Sequence, residues 1–430
     1  MGAGVLNMLT RVTVVASLVL ALACTKKNPR YCETDVGCMG GHCDKVAHEC
    51  SNVDAGTDVS DARDAADADA RDAVDAVDLR PHCTDPQCAD GGFDGAFGVC
   101  EPEAGVCVQC LGDDDCSVNK KKPICDTQAC RACRSDSECP DPSICMTDGH
   151  CATGAEVIFV QFNSSGCSGG MGTSANPYCT PNEAVDKLAL GKNVIAIRGA
   201  LADRLTLNTT GLAPVIVGKS AASIPATAAT AIQVLSDNVL IRDLVVTGGT
   251  APASKGVVVS GSSTTLTLSN VQVNIGTGLG IQADTGAHLT MDRCTVTGNS
   301  AGGLLVNGGG YDVQNSVFAA NGGTTGYGVQ LSAVLSGAQF SFTTIVGNPV
   351  AATCDLTNAA TVRDSIVAGP VINCNVTNSI TTSPTFDSAR PYHLTSHLAC
   401  LMPPMSPPAH DIDNQPRTAP VDCGADQFVP

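Results

Sequence analysis

Apolar and polar residues alternate in short runs through the second half of the chain, and one such run returns every 23–25 residues. Its five copies begin at Ala231, Gly256, Gly280, Gly303 and Gly328. Each copy holds two or three segments of strand length, separated by Gly, Asn or Asp. Alternation with a period of two is typical of a strand with one buried face. A fixed period of this length predicts that the copies stack as the turns of a solenoid.

Alignment of the copies predicts which side chains point into the solenoid. One column is apolar in every copy, and a second column, two residues earlier, is small or apolar, so both lie on one face of the strand. The apolar column contains Val246, Val273, Val296, Phe318 and Ile345, and the earlier column contains Leu244, Val271, Cys294, Ser316 and Thr343. Because both columns lack charge, we expect both to face the core, and Cys294 to be a buried free thiol.

A third column, three residues after the apolar one, predicts the corner of each turn. It contains Gly249, Gly276, Asn299, Asn321 and Asn348, which are residue types that readily adopt positive φ. A sandwich of short strands is the alternative architecture, but a sandwich does not require the same turn residue in each repeat. We therefore expect left-handed backbone at these five positions.

From about Val157 to Pro430 the chain resembles the right-handed parallel β-helix repeat family, the pectate-lyase-like superfold. At the front, Thr180-Pro181-Asn182-Glu183 has the pattern of an N-cap, a first-turn proline and a capping-box glutamate, and Gly191 would end the helix. At the back, residues 411–428 resemble the closing segment of bacterial surface β-helix proteins. The resemblance implies an all-β fold, a parallel β-helix with an N-terminal capping helix, preceded by small disulfide-rich modules.

The first 24 residues predict export. Arg11 precedes an apolar run that ends at Cys24, and the run has the length of a signal-peptide core but is too short to span a bilayer. Residues 20–24 resemble the lipobox of bacterial lipoproteins, in which the cysteine is acylated, and an ordinary signal peptide is the alternative. Thr25 is not an aspartate, which by the same resemblance implies an anchor in the outer membrane. We expect a lipid-anchored chain at the bacterial outer membrane or cell surface.

Composition divides the chain into five parts. The net charge is −18, and its strongest acidic run lies between Asp54 and Asp78, where alternating Asp and Ala cannot form an apolar face. We predict a signal peptide over 1–24, a first cysteine-rich module over 25–53, a disordered linker over 54–80, three tandem modules over 81–153 and the β-helix domain over 154–430. No basic patch is present to offset phosphate repulsion, which argues against nucleic acid as a partner.

The chain has 24 cysteines, and in an exported protein these predict disulfides. Sixteen form four groups of four, in which sequence leaves the pairing open. The groups are Cys32, Cys38, Cys43 and Cys50; Cys83, Cys88, Cys100 and Cys107; Cys110, Cys116, Cys125 and Cys130; and Cys133, Cys139, Cys145 and Cys151. Three further pairs are expected to bridge the β-helix domain, namely Cys167 with Cys179, Cys354 with Cys374, and Cys400 with Cys423.

Metal and cofactor sites are not expected. The pairs Cys107/Cys110 and Cys130/Cys133 have zinc-ribbon spacing, but each spans a boundary between modules in an oxidising compartment, which favours disulfides. His393 and His397, with Cys400 following, could gather a metal on a helix. Strand and loop are predicted there, so a surface or structural pair is favoured.

Candidates for catalysis are few. Gly166 to Gly170 match a GxSxG nucleophile pattern, but a loop rather than a helix follows. The best constellation for general acid and base work is Arg242-Asp243 with Asp292-Arg293, which Arg363-Asp364 could join. The chain has no Trp and five Tyr, which offers little for stacking on sugars.

These observations leave three hypotheses of function. The first is a non-catalytic cell-surface lipoprotein that presents a β-helix for adhesion or for an envelope or extracellular interaction, with a surface polysaccharide or a protein as partner. The second is a polysaccharide lyase or glycoside hydrolase that acts on a face of the β-helix. The third is a set of cysteine-rich protein-binding modules on a β-helix stalk. The sequence leaves catalysis uncertain and leans against it.

Overall fold

The computed structural model describes residues 42–44, 49–51, 99–101, 106–116, 120–162, 169–226, 229–235, 237–249, 254–333, 338–355, 360–404 and 406–429. The chain divides into two compact units, residues 1–78 and 79–430. In the first unit the antiparallel hairpin of β1 (His42–Asp44) and β2 (Glu49–Ser51) puts Cys43 opposite Cys50. The five-part division of the chain stays a prediction.

The second unit begins with small hairpins. Their elements are β3 (Val99–Glu101) and β4 (Val106–Val108); α1 (Asp113–Cys116), β5 (Ile124–Asp126) and β6 (Ala129–Arg131); a 3₁₀ turn (Asp136–Glu138), β7 (Ile144–Cys145) and β8 (Cys151–Ala152). Two cysteine groups are resolved, and each joins its first cysteine to its third and its second to its fourth. The bonds are Cys110–Cys125, Cys116–Cys130, Cys133–Cys145 and Cys139–Cys151. Disulfides replace the apolar core that modules of this size cannot form.

The rest of the unit is a parallel β-helix with three sheets, of which the first two are joined through the long strand Val215–Pro225. Each strand pairs with its counterpart one turn later. The first sheet contains β9 (Val157–Gln161), β10 (Val194–Ala200), the start of β12 (Val215–Pro225), β14 (Asn238–Arg242), β17 (Thr265–Ser269), β20 (His288–Asp292), β23 (Gly310–Gln314), β26 (Gln339–Ser341), β29 (Thr361–Arg363) and β32 (Asn375–Thr377). The second contains the end of β12, β15 (Val245–Gly249), β18 (Gln272–Gly276), β21 (Thr295–Thr297), β24 (Val317–Ala319), β27 (Thr344–Val346) and β30 (Ile366–Val367). The third contains β11 (Leu205–Leu207), β13 (Thr230–Val234), β16 (Lys255–Val259), β19 (Leu279–Ala283), β22 (Gly302–Asn307), β25 (Tyr327–Ser332), β28 (Val350–Cys354) and β31 (Val371–Ile372).

The predicted core columns are confirmed. Val246, Val273, Val296, Phe318 and Ile345 stack in register along the second sheet, and all are buried. The earlier column, from Leu244 to Thr343, is buried as well. Burying one Val, Ile or Phe side chain contributes about 1.5–3 kcal/mol, so a stacked column is a large share of the folding free energy.

The glycines that open four of the repeats are explained by close approach between turns. A Cβ on Gly280 would lie 2.5 Å from the carbonyl oxygen of Gly303. A Cβ on Gly256 or Gly303 would come similarly close to the carbonyl oxygen of the corresponding glycine in the next turn. None of these three has positive φ. The repeat therefore begins with glycine because the adjacent backbone leaves no room for a side chain.

The predicted corner is wrong in detail. Positive φ occurs at Gly276 as expected, but in the other turns it falls one residue earlier, at Gly248, Gly298, Ala320 and Gly347. Asn299, Asn321 and Asn348 instead point inward and form a buried ladder, in which Asn321 Oδ1 accepts from Asn299 Nδ2 at 2.8 Å and Asn348 Oδ1 accepts from the Asn321 N–H at 2.7 Å. Side-chain hydrogen bonding, not backbone freedom, selects Asn at these positions.

The front of the β-helix is capped by the expected helix, which is shorter than expected. The helix α2 (Pro181–Val185) has a complete capping box between Thr180 and Glu183, and Ala184 lies in the core. It ends at Val185 and not at Gly191, because the chain tightens into 3₁₀-type bonds and then into a turn between Ala189 and Lys192 that leads to β10. No helix among the described residues is long and apolar enough to cross a membrane.

Two segments from the ends of the unit cover apolar parts of the outer surface. The last cysteine module, residues 133–152 and hereafter module 4, packs Ile144 against Val157, Phe159 and Val217 on the outer side of the first sheet. After β32 the chain runs outside the second sheet, where Leu394 and Ala425 pack with Val317, Val346 and Ile366. Two disulfides, Cys354–Cys374 and Cys400–Cys423, join the cysteines that the sequence paired.

Candidate functional site

The strands of the first sheet end at a common corner, where the next residue has left-handed backbone. The corner residues are Asp243, Asn270, Arg293, Asn315, Phe342, Asp364 and Asn378, with φ between 45° and 58°. Asn and Asp tolerate this conformation best, because their side chains bond to nearby groups. The sequence analysis missed this corner. The sequence signal for this corner is weak, since Arg293 and Phe342 interrupt a column of Asp and Asn residues.

The candidate catalytic residues lie along this corner. Arg242 pairs with Asp243, and Arg293 Nε lies 3.0 Å from Asp292 Oδ2. Each carboxylate also accepts a bond from an amide one turn further on: Asn270 donates to Asp243 at 2.8 Å and Asn315 to Asp292 at 3.0 Å.

The third candidate pair repeats this arrangement, with Arg363 bonded to Asp364 at 2.7 Å and Asn378 donating to the same carboxylate. The corner therefore has three Arg–Asp–Asn contacts, each of which ties one turn to the next. The candidates stack along the solenoid and do not converge on one point.

Module 4 is fastened to the first turns of this corner by charged groups. Arg242 Nη2 donates to Asp136 Oδ1 at 2.9 Å and to the Cys145 carbonyl oxygen at 2.7 Å. Lys219 Nζ donates to the Ser143 carbonyl oxygen at 3.1 Å and lies 3.7 Å from Asp136 Oδ2. Partly buried charge-assisted bonds of this kind contribute more than exposed ion pairs, about 1.5–3 kcal/mol each. They fix the module on the outer side of the sheet.

A cleft of about 670 Å³ lies between module 4 and the corner, and we call it the junction cleft. Module 4 contributes Arg134, Asp136 and Met146; the β-helix contributes Lys219, Arg242, Asp243, Asn270 and Arg293; Asn414 of the closing segment also lines it. The lining has four basic side chains and two carboxylates, in a chain whose net charge is −18. The cleft is thus a locally basic part of an acidic protein.

The disulfides exclude several cysteines that the sequence analysis considered as metal ligands. Cys110, Cys130 and Cys133, three of the four cysteines with zinc-ribbon spacing, are all disulfide-bonded, so they cannot offer thiolates. Cys400 is bonded to Cys423 and is likewise excluded as a ligand next to His393 and His397.

The two histidines have separate partners. His397 hydrogen-bonds to Asp422 at 3.2 Å, whereas His393 lies near Asp413 and Asp426, carboxylates that sequence reasoning did not connect with it. They are contributed by the closing segment, which the fold brings back along the second sheet.

Several predicted residues lie outside the described part of the chain. These are the lipidation candidate Cys24, the cysteines Cys32, Cys38, Cys83, Cys88 and Cys167, and most of the GxSxG segment. Signal peptide, lipid anchor and outer-membrane location accordingly stay predictions.

The strand pairing and the disulfides define the class of protein: a parallel β-helix protein with disulfide-rich N-terminal modules. No family model matches the sequence, and no curated protein matches it. Among solved structures, the chain is similar to the crystal structure of pectate lyase Pel9A, with 14% sequence identity and a TM-score of 0.38. The similarity covers 64% of this chain and 89% of the lyase.

Proposed function

We propose that this chain is an exported, non-catalytic binding protein, which displays a β-helix and binds an anionic extracellular polysaccharide in the junction cleft. The disulfides support export, because bonds of this kind persist in oxidising compartments. The surface location and the lipid on Cys24 belong to the same proposal and rest on the sequence of the first 25 residues.

The charge of the junction cleft is the observation that carries the proposal. Both of its carboxylates are already paired with cations of the protein, Asp136 with Lys219 and Arg242, and Asp243 with Arg242. Asp243 also accepts a hydrogen bond from Asn270. Arg134 is exposed, and Arg293 uses one side of its guanidinium for Asp292 and Ser269. Planar guanidinium groups suit carboxylate and sulfate groups, which are the anionic groups of acidic polysaccharides.

The same contacts favour binding over cleavage. Glycosidic cleavage uses a carboxylate or a basic group that is positioned to exchange a proton with the substrate. In the junction cleft, Asp136 and Asp243 hold module 4 and the turns of the solenoid together. A substrate would have to break these pairs to use either carboxylate as an acid or base.

Calorimetric titration with polygalacturonate, and with uncharged dextran of the same length, tests the proposal. We expect binding of the anionic polymer alone, weakening as sodium chloride is raised. Arg134→Ala should reduce the affinity about 10-fold or more, because it removes a charge-assisted contact. Arg204→Ala removes an exposed arginine outside the cleft and should leave the affinity unchanged.

Equal binding of dextran, or unchanged affinity in Arg134→Ala, would contradict the assignment of the cleft. The same mixtures are assayed for new reducing ends and for unsaturated uronate ends. Release of either by the wild-type chain would show an enzyme, and the second hypothesis would replace the first.

A further inference from the structure

Three side chains from two segments meet on the outer side of the second sheet. His393 lies just before the bridge that joins Phe386 to Leu394, Asp413 lies in the turn after Asp411, and Asp426 lies near the end of the closing segment. His393 Nδ1 is 3.0 Å from Asp413 Oδ2 and 3.5 Å from Asp426 Oδ1. One ligand atom from each of the three lies within 4.8 Å of the others.

The two distances from His393 Nδ1 match the edges of a metal coordination shell. Two ligand atoms that each lie about 2.1 Å from one ion are about 3.0 Å apart at a right angle and about 3.4 Å apart at the tetrahedral angle. His150 and His397 form aligned hydrogen bonds to Asp148 and Asp422, whereas the contacts of His393 lack that alignment. The imidazole nitrogen therefore faces the two carboxylate oxygens without bonding well to either.

Asp426 provides a second and independent indication. Its side chain is only 6% exposed, and its Oδ2 accepts from the Leu394 N–H at 2.6 Å. Its Oδ1 is turned toward His393 and accepts no hydrogen bond from any residue in the described part of the chain. In a side chain so largely withdrawn from solvent, a carboxylate oxygen without a protein donor is poorly solvated, and a cation would stabilise it.

The nearest buried cation does not fill this role. Arg417 directs its guanidinium to the carbonyl oxygens of Asp422, Gly424 and Ala425 and to Asn315 Oδ1. None of these bonds reaches a carboxylate. Arg417 therefore acts on Asp426 through its charge alone, and neither Arg417 nor His393 forms an aligned hydrogen bond to Asp426 Oδ1.

We propose that His393, Asp413 and Asp426 bind one divalent transition-metal cation, with zinc the best match to one imidazole and two carboxylates. An imidazole ligand favours zinc and its neighbours over calcium and magnesium, which prefer oxygen alone. Three protein ligands leave a further position for water. His393 is 19% and Asp413 34% exposed in their side chains, so the ion can enter from solvent. Binding would join the turn that contains His393 to the closing segment.

Zinc titration of the full chain, after treatment with chelator, tests the site by calorimetry. The wild-type chain should show one more tight zinc site than the double variant His393→Ala/Asp413→Asn, and zinc taken up elsewhere in the chain cancels in that difference. His410→Ala removes an exposed histidine of the same segment and should retain the site. Calcium should bind at least about 100-fold more weakly than zinc, because it lacks affinity for imidazole.

A melting experiment separates loss of the ligand from loss of the fold. Zinc should raise the melting temperature of the wild type and of His410→Ala but not of Asp413→Asn, since a ligand stabilises only the state that binds it. Asp413 is partly exposed, so this variant should keep the wild-type circular dichroism and melting temperature without zinc. The proposal is overturned by identical zinc isotherms in wild type and double variant, by loss of the site in His410→Ala, or by calcium binding as tightly as zinc.

Discussion

Cys294 shows how a place in the repeat determines the chemistry of one side chain. Its thiol is buried between turns and contacts the carbonyl oxygens of Leu268 and Asp292, and burial raises the pKa of Cys294 to about 12. The thiolate is the form that reacts with alkylating agents. We expect no modification of Cys294 by iodoacetamide at pH 8 in the folded chain, and complete modification in guanidinium.

Peptide mapping by mass spectrometry checks this residue by residue. The bonded cysteines Cys354 and Cys374 serve as an internal control, because they should stay unmodified in both conditions without a reductant. Rapid labelling of Cys294 under native conditions would mean that its column does not face the core.

At the scale of the element, the asparagine ladder joins neighbouring turns through the core. Asn321 Oδ1 accepts from the N–H and Nδ2 of Asn299, and its own Nδ2 donates to the Val296 carbonyl oxygen at 2.8 Å. The variant Asn321→Ala leaves several buried groups without partners, each of which costs about 1–3 kcal/mol. We expect the free energy of unfolding to fall by about 2–4 kcal/mol, measured by urea denaturation.

The exposed Asn274, on a neighbouring strand of the same sheet, is the matched control. Asn274→Ala should change the free energy of unfolding by less than about 0.5 kcal/mol, as is usual for surface positions. If both variants lose the same small amount, the ladder contributes no more than an exposed amide.

The buried columns of the repeat could be predicted from the sequence where apolar side chains of similar size recur, as at Val246, Val273 and Val296. The first corner was not readable, because Asp243, Arg293 and Phe342 share a backbone angle and no side-chain property. In the corner that follows the second sheet, the sequence showed the recurring residue types but not why they recur. Gly and Asn were both interpreted as turn formers, whereas the structure puts the turn one residue earlier in every repeat except that of Gly276 and turns the Asn amides inward.

At the scale of the whole molecule, the outer surface is completed by segments distant in sequence. Phe159 and Val217 point outward and are covered by module 4, while Val317 and Val346 are covered by the closing segment. Apolar residues on the outer face of a sheet indicate that another segment packs over them, but the local sequence pattern does not identify that segment. The junction cleft was unpredictable for this reason, since Asp136 and Arg242 meet across 106 residues of sequence.

The charged bonds of Arg242 attach module 4 to the β-helix, and mutation of this arginine tests their contribution. Arg242→Ala removes the bonds to Asp136 and to the Cys145 carbonyl oxygen and leaves Lys219 as the charged link. Because this leaves Lys219 and the packing of Ile144 and Ala152 to hold the module, we expect its amides, such as that of Met146, to exchange hydrogen about 10- to 100-fold faster, while the strands of the β-helix keep their protection.

Arg293→Ala is the matched control for this variant, because Arg293 pairs with Asp292 on the same corner and makes no bond to the module. Hydrogen exchange followed by mass spectrometry measures both variants. Equal exchange of module 4 in Arg242→Ala and Arg293→Ala would mean that the disulfides and Ile144 hold the module without the charged bonds. Faster exchange of module 4 in Arg242→Ala alone would mean that Arg242 holds the module against the β-helix. Because Arg242 also lines the junction cleft, binding in the cleft and the position of module 4 would then depend on the same side chain.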